Sequence, residues 1–116
     1  MSAQTRTYLA HATFDRARVA ELGKARASHL RHVLRNKERI VFGGLVGARD
    51  LPPEGIVLLV KCRSQSGALA LMREDPYAPC YSNVRVVEFQ LRIPEQREGQ
   101  LLGDLQRLIA ESTDVN

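Results

Sequence analysis

Ile56-Val57-Leu58-Leu59-Val60 is the stretch of sequence that decides the fold, because all five of its residues are apolar. A strand with water on one face alternates apolar and polar residues, whereas this run has no polar face to offer to solvent. The run therefore predicts a strand that is covered on both faces. A sheet containing this strand needs helices on one side and a second cover on the other.

The segments before this strand predict the first half of a repeated β-α-β outline. Residues 6–13 alternate as a strand does, and Asp15 is the predicted N-cap of a helix that ends near Asn36. Residues 39–44 predict a short strand that ends in glycines, and the proline-containing loop 51–55 separates it from the central strand.

The segments after the central strand predict a second helix and a last strand. The helix is expected to begin at Ser64 or Ser66 and to end before Pro76, because a residue that precedes proline avoids the helical conformation. Residues 83–93 predict the last strand. Its apolar phase slips at 86–87, which indicates a bulge unless both faces of the strand are buried.

The order β-α-β-β-α-β predicts an α+β fold of the ferredoxin-like type, with a four-stranded antiparallel sheet and both helices on one face. Either the C-terminal segment or a second copy of the sheet must then cover the other face. We favour the second copy, in a face-to-face homodimer that closes a dimeric α+β barrel around a dry core.

The C-terminal segment predicts an amphipathic helix over residues 98–112. We therefore expect an α+β domain over residues 1–95 and a helical extension over residues 96–116. Docking of this helix on its own subunit or across the dimer is favoured over a membrane surface, since its polar face carries two acids and one base. Its apolar positions are Leu101, Leu102, Leu105, Leu108 and Ile109.

The composition of the chain fits one globular domain in the cytoplasm. It has 116 residues, of which 44% are hydrophobic and 26% charged, and no run is apolar enough for a membrane span or an export signal. Cys62 and Cys80 fit no metal or redox motif and are expected to be free thiols. The net charge of +4 is concentrated in residues 16–39. With few aromatic residues beside it, this segment favours a solvated helix face, so nucleic acid is an unlikely partner.

Two polar side chains interrupt the apolar face of the first predicted helix. Arg26 falls in the middle of the stripe and His29 at its edge, one turn along. A buried guanidinium needs an acidic partner, and Asp75 in Asp75-Pro76-Tyr77 is the candidate. The apolar members of the stripe are Val19, Leu22, Leu30, Val33 and Leu34.

These residues predict a site for acid–base chemistry. His29 is the candidate general acid or base, and Asp75 is placed to fix its tautomer. Alternatively, Asp75 pairs with Arg26 in a purely structural role. His11 on the first strand is a weaker candidate for the same cleft, and His32 is expected to project into solvent from the polar side of the helix. The sequence contains no metal-ligand pattern.

Three short motifs together resemble the YCII-related (YciI-like) family. They are Arg26-x-x-His29-Leu30, Phe42-Gly43-Gly44 and Asp75-Pro76-Tyr77, and the likeness spans roughly residues 7–93. The resemblance implies a homodimeric ferredoxin-like α+β barrel that needs no cofactor. It also implies a pocket whose His–Asp pair corresponds to His29 and Asp75, with Arg26, Phe42, Tyr77 and His11 as substrate-binding candidates. One member of that family is similar to a dehydrochlorinase of chlorinated aromatic degradation.

Two functions are compatible with this pattern. The first is a small cofactor-free enzyme of the lyase, isomerase or hydrolase type, in which His29 transfers a proton, Asp75 orients it and Arg26 holds an anionic group of a small metabolite. The second is a non-catalytic binding or accessory module, in which the same pocket holds a small anion.

Overall fold

The elements of the protein follow the predicted order. A computed structural model describes residues 4–92 and 100–112. Single 3₁₀ turns, Val19–Glu21 and Ala78–Cys80, precede the first helix and the last strand. The strands and α-helices are β1 (Arg6–Phe14), α1 (Leu22–Arg35), β2 (Ile40–Val46), β3 (Gly55–Cys62), α2 (Gln65–Arg73), β4 (Tyr81–Glu88) and α3 (Gln100–Ser112).

The four strands form one antiparallel sheet in the order β2-β3-β1-β4. The strand that contains the apolar run, β3, pairs with both β2 and β1, and is therefore interior to the sheet. Two crossovers connect β1 to β2 through α1 and β3 to β4 through α2. This is the ferredoxin-like arrangement, so the predicted fold class is confirmed.

The core lies between the sheet and the two helices. Alternate residues of β1 and β3 face the helices, as the period of two in a strand requires. Leu71 and Met72 of α2 are the largest side chains that this layer buries completely, together with Val60 of β3. Burying a side chain of this size stabilises the fold by about 1.5–3 kcal/mol. The other core residues on β1, β3 and α2 are Tyr8, Ala10, Ala12, Phe14, Ile56, Leu58, Cys62 and Ala68.

The opposite face of the sheet carries an apolar row that crosses all four strands. Phe42 pairs with Leu59, Leu59 with Leu9, and Leu9 with Val87, so the four side chains are neighbours on one face. Leu59 in the middle is buried, whereas Phe42 and Val87 at the two ends are 56% and 38% exposed. The strand β3 is therefore apolar on both faces, as predicted. We refer to these four residues as the apolar row.

The first helix begins later than predicted. Asp15 caps a tight turn instead of the helix, because its Oδ1 accepts a hydrogen bond from the Ala17 N–H at 2.9 Å. Its own N–H donates to the Cys80 carbonyl at 2.7 Å, which holds Asp15 against the segment that leads into β4. The helix can form only after the chain has left this contact, so α1 begins at Leu22.

The last strand has no bulge at the predicted position. Val86 pairs with Ala10 and Val87 with Leu9 in regular register, so the predicted bulge is absent. Val86 is buried, whereas Val87 on the opposite face is 38% exposed, so the single chain does not bury both faces of this strand. The irregularity in this pair of strands lies instead between Thr13 and Phe14. The strand ends at Glu88, earlier than predicted, and the expected last residue, Ile93, lies outside the described residues.

The predicted C-terminal helix is present as α3. Its residues Leu108 and Ile109 are 37% and 65% exposed, and Leu105 is half-buried. The predicted helix start at residue 98 and the boundary between residues 95 and 96 lie outside the described residues. In the described part of the chain, no helix has both the length and the apolar character needed to cross a membrane.

Candidate active site

The buried face of α1 carries two histidines. His29 and His32 are three residues apart and are only 8% and 4% exposed, so the prediction that His32 is solvated is wrong. Leu30 and Leu34, predicted to face the core, are 52% and 65% exposed. The buried face of α1 is rotated about the helix axis relative to the predicted face, because each imidazole has a hydrogen-bond partner on the α2 side of the core.

The partner of His29 is Asp75, in the segment after α2. The His29 Nδ1 lies 2.9 Å from Oδ1 and 2.8 Å from Oδ2 of Asp75, and the carboxylate is fully buried. Asp75 Oδ1 also accepts a hydrogen bond from the Tyr77 N–H at 2.8 Å. Pro76 has no N–H, so Tyr77 supplies the first available donor of this turn. Two contacts therefore fix the orientation of the Asp75 carboxylate.

This pairing determines which nitrogen of His29 is available for chemistry. An ionised carboxylate only accepts hydrogen bonds, so the Nδ1 of His29 carries the hydrogen that points to Asp75. In the neutral ring, Nε2 then keeps its lone pair. The Nε2 atom makes no hydrogen bond with residues 4–92 or 100–112, and His29 itself lines a cavity. The arrangement suits a proton acceptor at Nε2.

Tyr77 forms a wall beside His29. The two rings are stacked, with centroids 4.0 Å apart and an angle of 10° between their planes, and Phe14 contacts Tyr77 edge-on at 6.1 Å. Burial raises the pKa of the Tyr77 hydroxyl, and the nearby Arg26 guanidinium only partly offsets this effect. Tyr77 is therefore a neutral hydrogen-bond donor at neutral pH.

The cavity beside His29 has a volume of about 360 Å³ and lies between α1 and the β2–β3 hairpin. Arg26 lines it from an exposed position and makes no ion pair or hydrogen bond within the described ranges. Asp75, the acid expected opposite Arg26, is bonded to His29 instead. The remaining lining is apolar side chain or glycine: Leu30, Val33, Ile40, Gly43, Gly44, Leu45, Ile56 and Leu58, with the ring of Tyr77.

The structure does not bring His11 and Phe42 to this cavity. His11 is exposed on β1 next to Val57 and Arg85, on the face of the sheet that points away from the helices. Phe42 belongs to the apolar row on that same face. A four-stranded sheet separates both residues from His29, so their predicted place in the cleft is corrected. The alternation of β1 already assigned His11 to the face opposite Tyr8 and Ala10.

Sequence reasoning missed one further polar group in this region. The hydroxyl of Tyr81 is buried and has no hydrogen-bond partner among the described residues. Burial raises its pKa, and the negative charge of Asp75 adds to this effect. Its ring is stacked on Phe14 at 6.0 Å. Within residues 4–92 and 100–112 there is no group of three or more side chains that could hold a metal ion.

Solved structures share this fold. The 5-chloro-2-hydroxyhydroquinone dehydrochlorinase TftG from Burkholderia phenoliruptrix AC1100, in complex with 2,5-dihydroxybenzoquinone, superposes with a TM-score of 0.65 and 18% identity, covering 74% of this chain and 95% of that one. A protein titled an antibiotic biosynthesis monooxygenase from Bacteroides thetaiotaomicron VPI-5482 gives a TM-score of 0.50 and 10% identity, covering 81% and 95%. No family model and no curated protein matches the sequence.

These similarities establish the fold and no more. At 18% and 10% identity, two chains can share an architecture while their sites carry out different chemistry. The ferredoxin-like α+β fold is thus supported by the topology and by the solved structures. The function has to be argued from the residues around His29.

Proposed function

We propose that this protein is a small cofactor-free enzyme that transfers a proton to or from a small metabolite. The observation that carries the proposal is the bond from the His29 Nδ1 to the buried Asp75 carboxylate, at 2.8–2.9 Å, beside a cavity. A histidine held in one tautomer by a buried acid, with its second nitrogen free, is a common arrangement for a general base.

Each polar residue of the cavity has a role in this proposal. His29 Nε2 accepts a proton from an O–H or C–H of the substrate, and Asp75 stabilises the imidazolium that forms. The exposed guanidinium of Arg26 binds the negative charge that the substrate carries or develops. The flat face of Tyr77 and the apolar walls favour a planar ring. In an elimination from a hydroxylated ring, the carbon that bears the leaving group first takes up the proton of one hydroxyl, which gives the keto tautomer. His29 Nε2 then removes the proton of a second hydroxyl, whose O–H bonding pair forms a carbonyl. The adjacent ring double bond shifts toward the carbon that bears the leaving group, which departs with its own bonding pair.

A hydroxylated aromatic ring is the substrate class that we favour. A cavity of about 360 Å³ lies at the small end of the range of ligand pockets, which suits a single substituted ring. The similar fold of the dehydrochlorinase TftG supports elimination of HCl as the first reaction to test. Elimination of HCl from 5-chloro-2-hydroxyhydroquinone releases one proton and one chloride ion, and it needs no external oxidant or reductant.

The test measures chloride release from 5-chloro-2-hydroxyhydroquinone. We expect turnover by the wild-type protein and a loss of about a hundredfold or more in His29→Gln, because general acid–base catalysis contributes about 10²–10⁴-fold. The matched control is Arg35→Gln, which changes an exposed residue of α1 that does not line the cavity and should leave the rate unchanged. Equal rates for wild type and His29→Gln would refute the proposal.

A non-catalytic small-anion-binding module is the second candidate. The observation that favours it is Arg26, an exposed cation at the cavity with no ion pair in the described structure. Calorimetry with 2,5-dihydroxybenzoquinone as the probe distinguishes the two. Binding that is lost in Arg26→Gln, without turnover of any substituted hydroquinone by the wild type, would favour the module over the enzyme.

We further propose that the protein is a cytoplasmic member of the YciI-like family and forms a homodimer through the open face of its sheet. The three sequence motifs support the family. The apolar row supports the dimer, since Phe42 and Val87 remain exposed although they flank the buried Leu59. A second copy of this row would cover the face of β3 that the helices leave open.

A further inference from the structure

We propose that His32, which sequence reasoning assigned to solvent, is a positioning residue for the His29–Asp75 pair. It acts through the last turn of α2, which leads directly into the segment that carries Asp75. The inference rests on the proposed role of His29 and Asp75, and it extends the site by one residue that does not itself line the cavity. Three observations support it: a hydrogen bond, a tightened helix end and a fixed tautomer.

The first observation is a buried hydrogen bond between the two helices. His32 is 4% exposed, and its Nε2 lies 3.0 Å from the carbonyl oxygen of Leu71. His32 follows His29 by three residues on α1. Leu71 lies on α2, four residues before Asp75, which follows the end of that helix. Two bonds one helical turn apart, His29 to Asp75 and His32 to Leu71, therefore connect the same pair of elements.

The second observation concerns the backbone at the end of α2. In a continuing helix, the Leu71 carbonyl would accept from the N–H of Asp75, four residues later. The Asp75 N–H donates instead to Met72, three residues back, at 3.3 Å, and the Glu74 N–H donates to Ala70. The turn is tightened here and Leu71 loses its backbone donor. His32 supplies the missing donor.

The third observation is that the tautomer of His32 is determined. A carbonyl oxygen can only accept, so Nε2 carries the hydrogen. The Nδ1 atom lies 3.5 Å from the Asn36 side-chain nitrogen, which also donates to the His32 carbonyl at 2.8 Å. His32 is thus protonated at Nε2 and His29 at Nδ1. The two histidines of α1 hold opposite tautomers, each fixed by a partner at the end of α2.

These facts give His32 a role in aiming Asp75. Without a donor at position 32, the buried Leu71 carbonyl can regain a hydrogen bond only if the Asp75 N–H returns to the regular helical pattern. That change would extend α2 by one residue and turn the Asp75 carboxylate away from His29. His32 therefore stabilises the tightened turn, and through it the geometry of the catalytic pair.

The experiment measures the His29 ring by ¹⁵N NMR in the free protein. We expect a single Nδ1–H tautomer and a downfield-shifted Nδ1–H proton in the wild type. In His32→Leu, the downfield signal of the His29 Nδ1–H should be lost, and the His29 ring should show a mixture of tautomers. His32→Gln places an amide N–H near the Leu71 carbonyl and should restore the wild-type pattern. Leu22→Ala changes another buried residue of α1 and removes neither histidine hydrogen bond, so it is the matched control and should keep the wild-type pattern.

Activity gives a second readout. A misplacement of the base by about 1 Å costs up to roughly a hundredfold in rate. We expect chloride release in His32→Leu to fall about tenfold to a hundredfold below that in Leu22→Ala, with recovery in His32→Gln. If no variant and no wild-type sample releases chloride, the proposed function fails, while the NMR result still decides the role of His32.

Two outcomes would overturn the inference. One is an unchanged His29 spectrum in folded His32→Leu. The other is a folded His32→Gln that lacks the Nδ1–H signal. If His32→Leu does not fold, His32→Asn takes its place, because the shorter amide cannot reach Leu71 and the same comparison with His32→Gln applies.

Discussion

Asp75 satisfies two donors with one carboxylate, and this makes it the most informative residue to change. In Asp75→Asn, the amide oxygen can still accept from the Tyr77 N–H, but the amide NH₂ then faces the Nδ1 of His29. The ring must respond by placing its hydrogen on Nε2, the atom needed as a base. We expect a folded protein with the inverted tautomer and a loss of about 10³-fold or more in turnover.

The ¹⁵N spectrum of His29 and the rate of chloride release measure these two effects together. Asp15→Asn is the matched control, since Asp15 is the other aspartate that caps a turn with its Oδ1, and it lies away from the cavity lining. A variant Asp75→Asn that keeps the Nδ1–H tautomer would contradict the proposed role of the carboxylate.

At the level of secondary structure, α2 is held at both ends by side chains. At its start, Ser64 Oγ accepts from the Gly67 N–H at 3.1 Å and caps the helix. We expect Ser64→Ala to lower the free energy of unfolding by about 1 kcal/mol in urea titrations. Ser66→Ala is the control, because among the described residues the Ser66 hydroxyl bonds to the Ser64 hydroxyl and caps no backbone N–H. Equal losses in the two variants would show that the cap is not the cause.

The elements themselves were largely predictable, and the orientation of α1 was not. Periodicity located the strands, and Ser64 and Pro76 predicted where α2 begins and ends, because these are local properties of the chain. The His29–Asp75 pair was predicted from a shared sheet face. The prediction of the buried face of α1 was wrong, because that face depends on two distant hydrogen-bond acceptors. The Leu71 carbonyl is 39 residues from His32, and the Asp75 carboxylate is 46 residues from His29. No helical wheel contains that information.

At the scale of the whole molecule, the apolar row predicts the oligomeric state. Phe42→Glu places a charge where we propose that two sheets meet, so the variant should sediment as a monomer in analytical ultracentrifugation. Leu34→Glu changes an equally exposed leucine on α1 and should leave the dimer intact. A monomeric wild type would refute the dimer without affecting the assignment of the site.

The buried acidic groups predict a loss of stability at alkaline pH. Burial raises the pKa of Cys62, Cys80, Tyr77 and Tyr81, whose ordinary values are 9.0 for cysteine and 10.0 for tyrosine. Above pH 9 the unfolded chain releases protons that the folded chain retains, so the free energy of unfolding should fall as pH rises. At pH values well below 9.0, the ordinary pKa of cysteine, this contribution to the free energy of unfolding is constant.

One substitution isolates the contribution of a single tyrosine to this effect. Tyr81→Phe removes a buried hydroxyl that has no hydrogen-bond partner among the described residues. We expect the free energy of unfolding of the variant to be about 1 kcal/mol higher than that of the wild type at pH 7. Between pH 9 and pH 11, urea titrations should show a smaller loss of stability in the variant than in the wild type. If the free energy of unfolding of Tyr81→Phe fell as steeply with pH as that of the wild type, Tyr81 would not be a cause of the alkaline loss of stability.

The rates at which the two buried thiols are labelled also report on local opening of the native protein. Both are inert to a thiol reagent until the surrounding structure opens, since only an exposed thiolate reacts quickly. Cys80 lies in the 3₁₀ turn that follows Tyr77, and Cys62 lies at the end of β3. The labelling rate of Cys80 would therefore measure how often the segment that carries Asp75 opens. The labelling rate of Cys62 would measure how often the sheet opens. A bound ligand that slowed the labelling of Cys80 but not that of Cys62 would be detected by this measurement. The measurement requires no knowledge of the reaction.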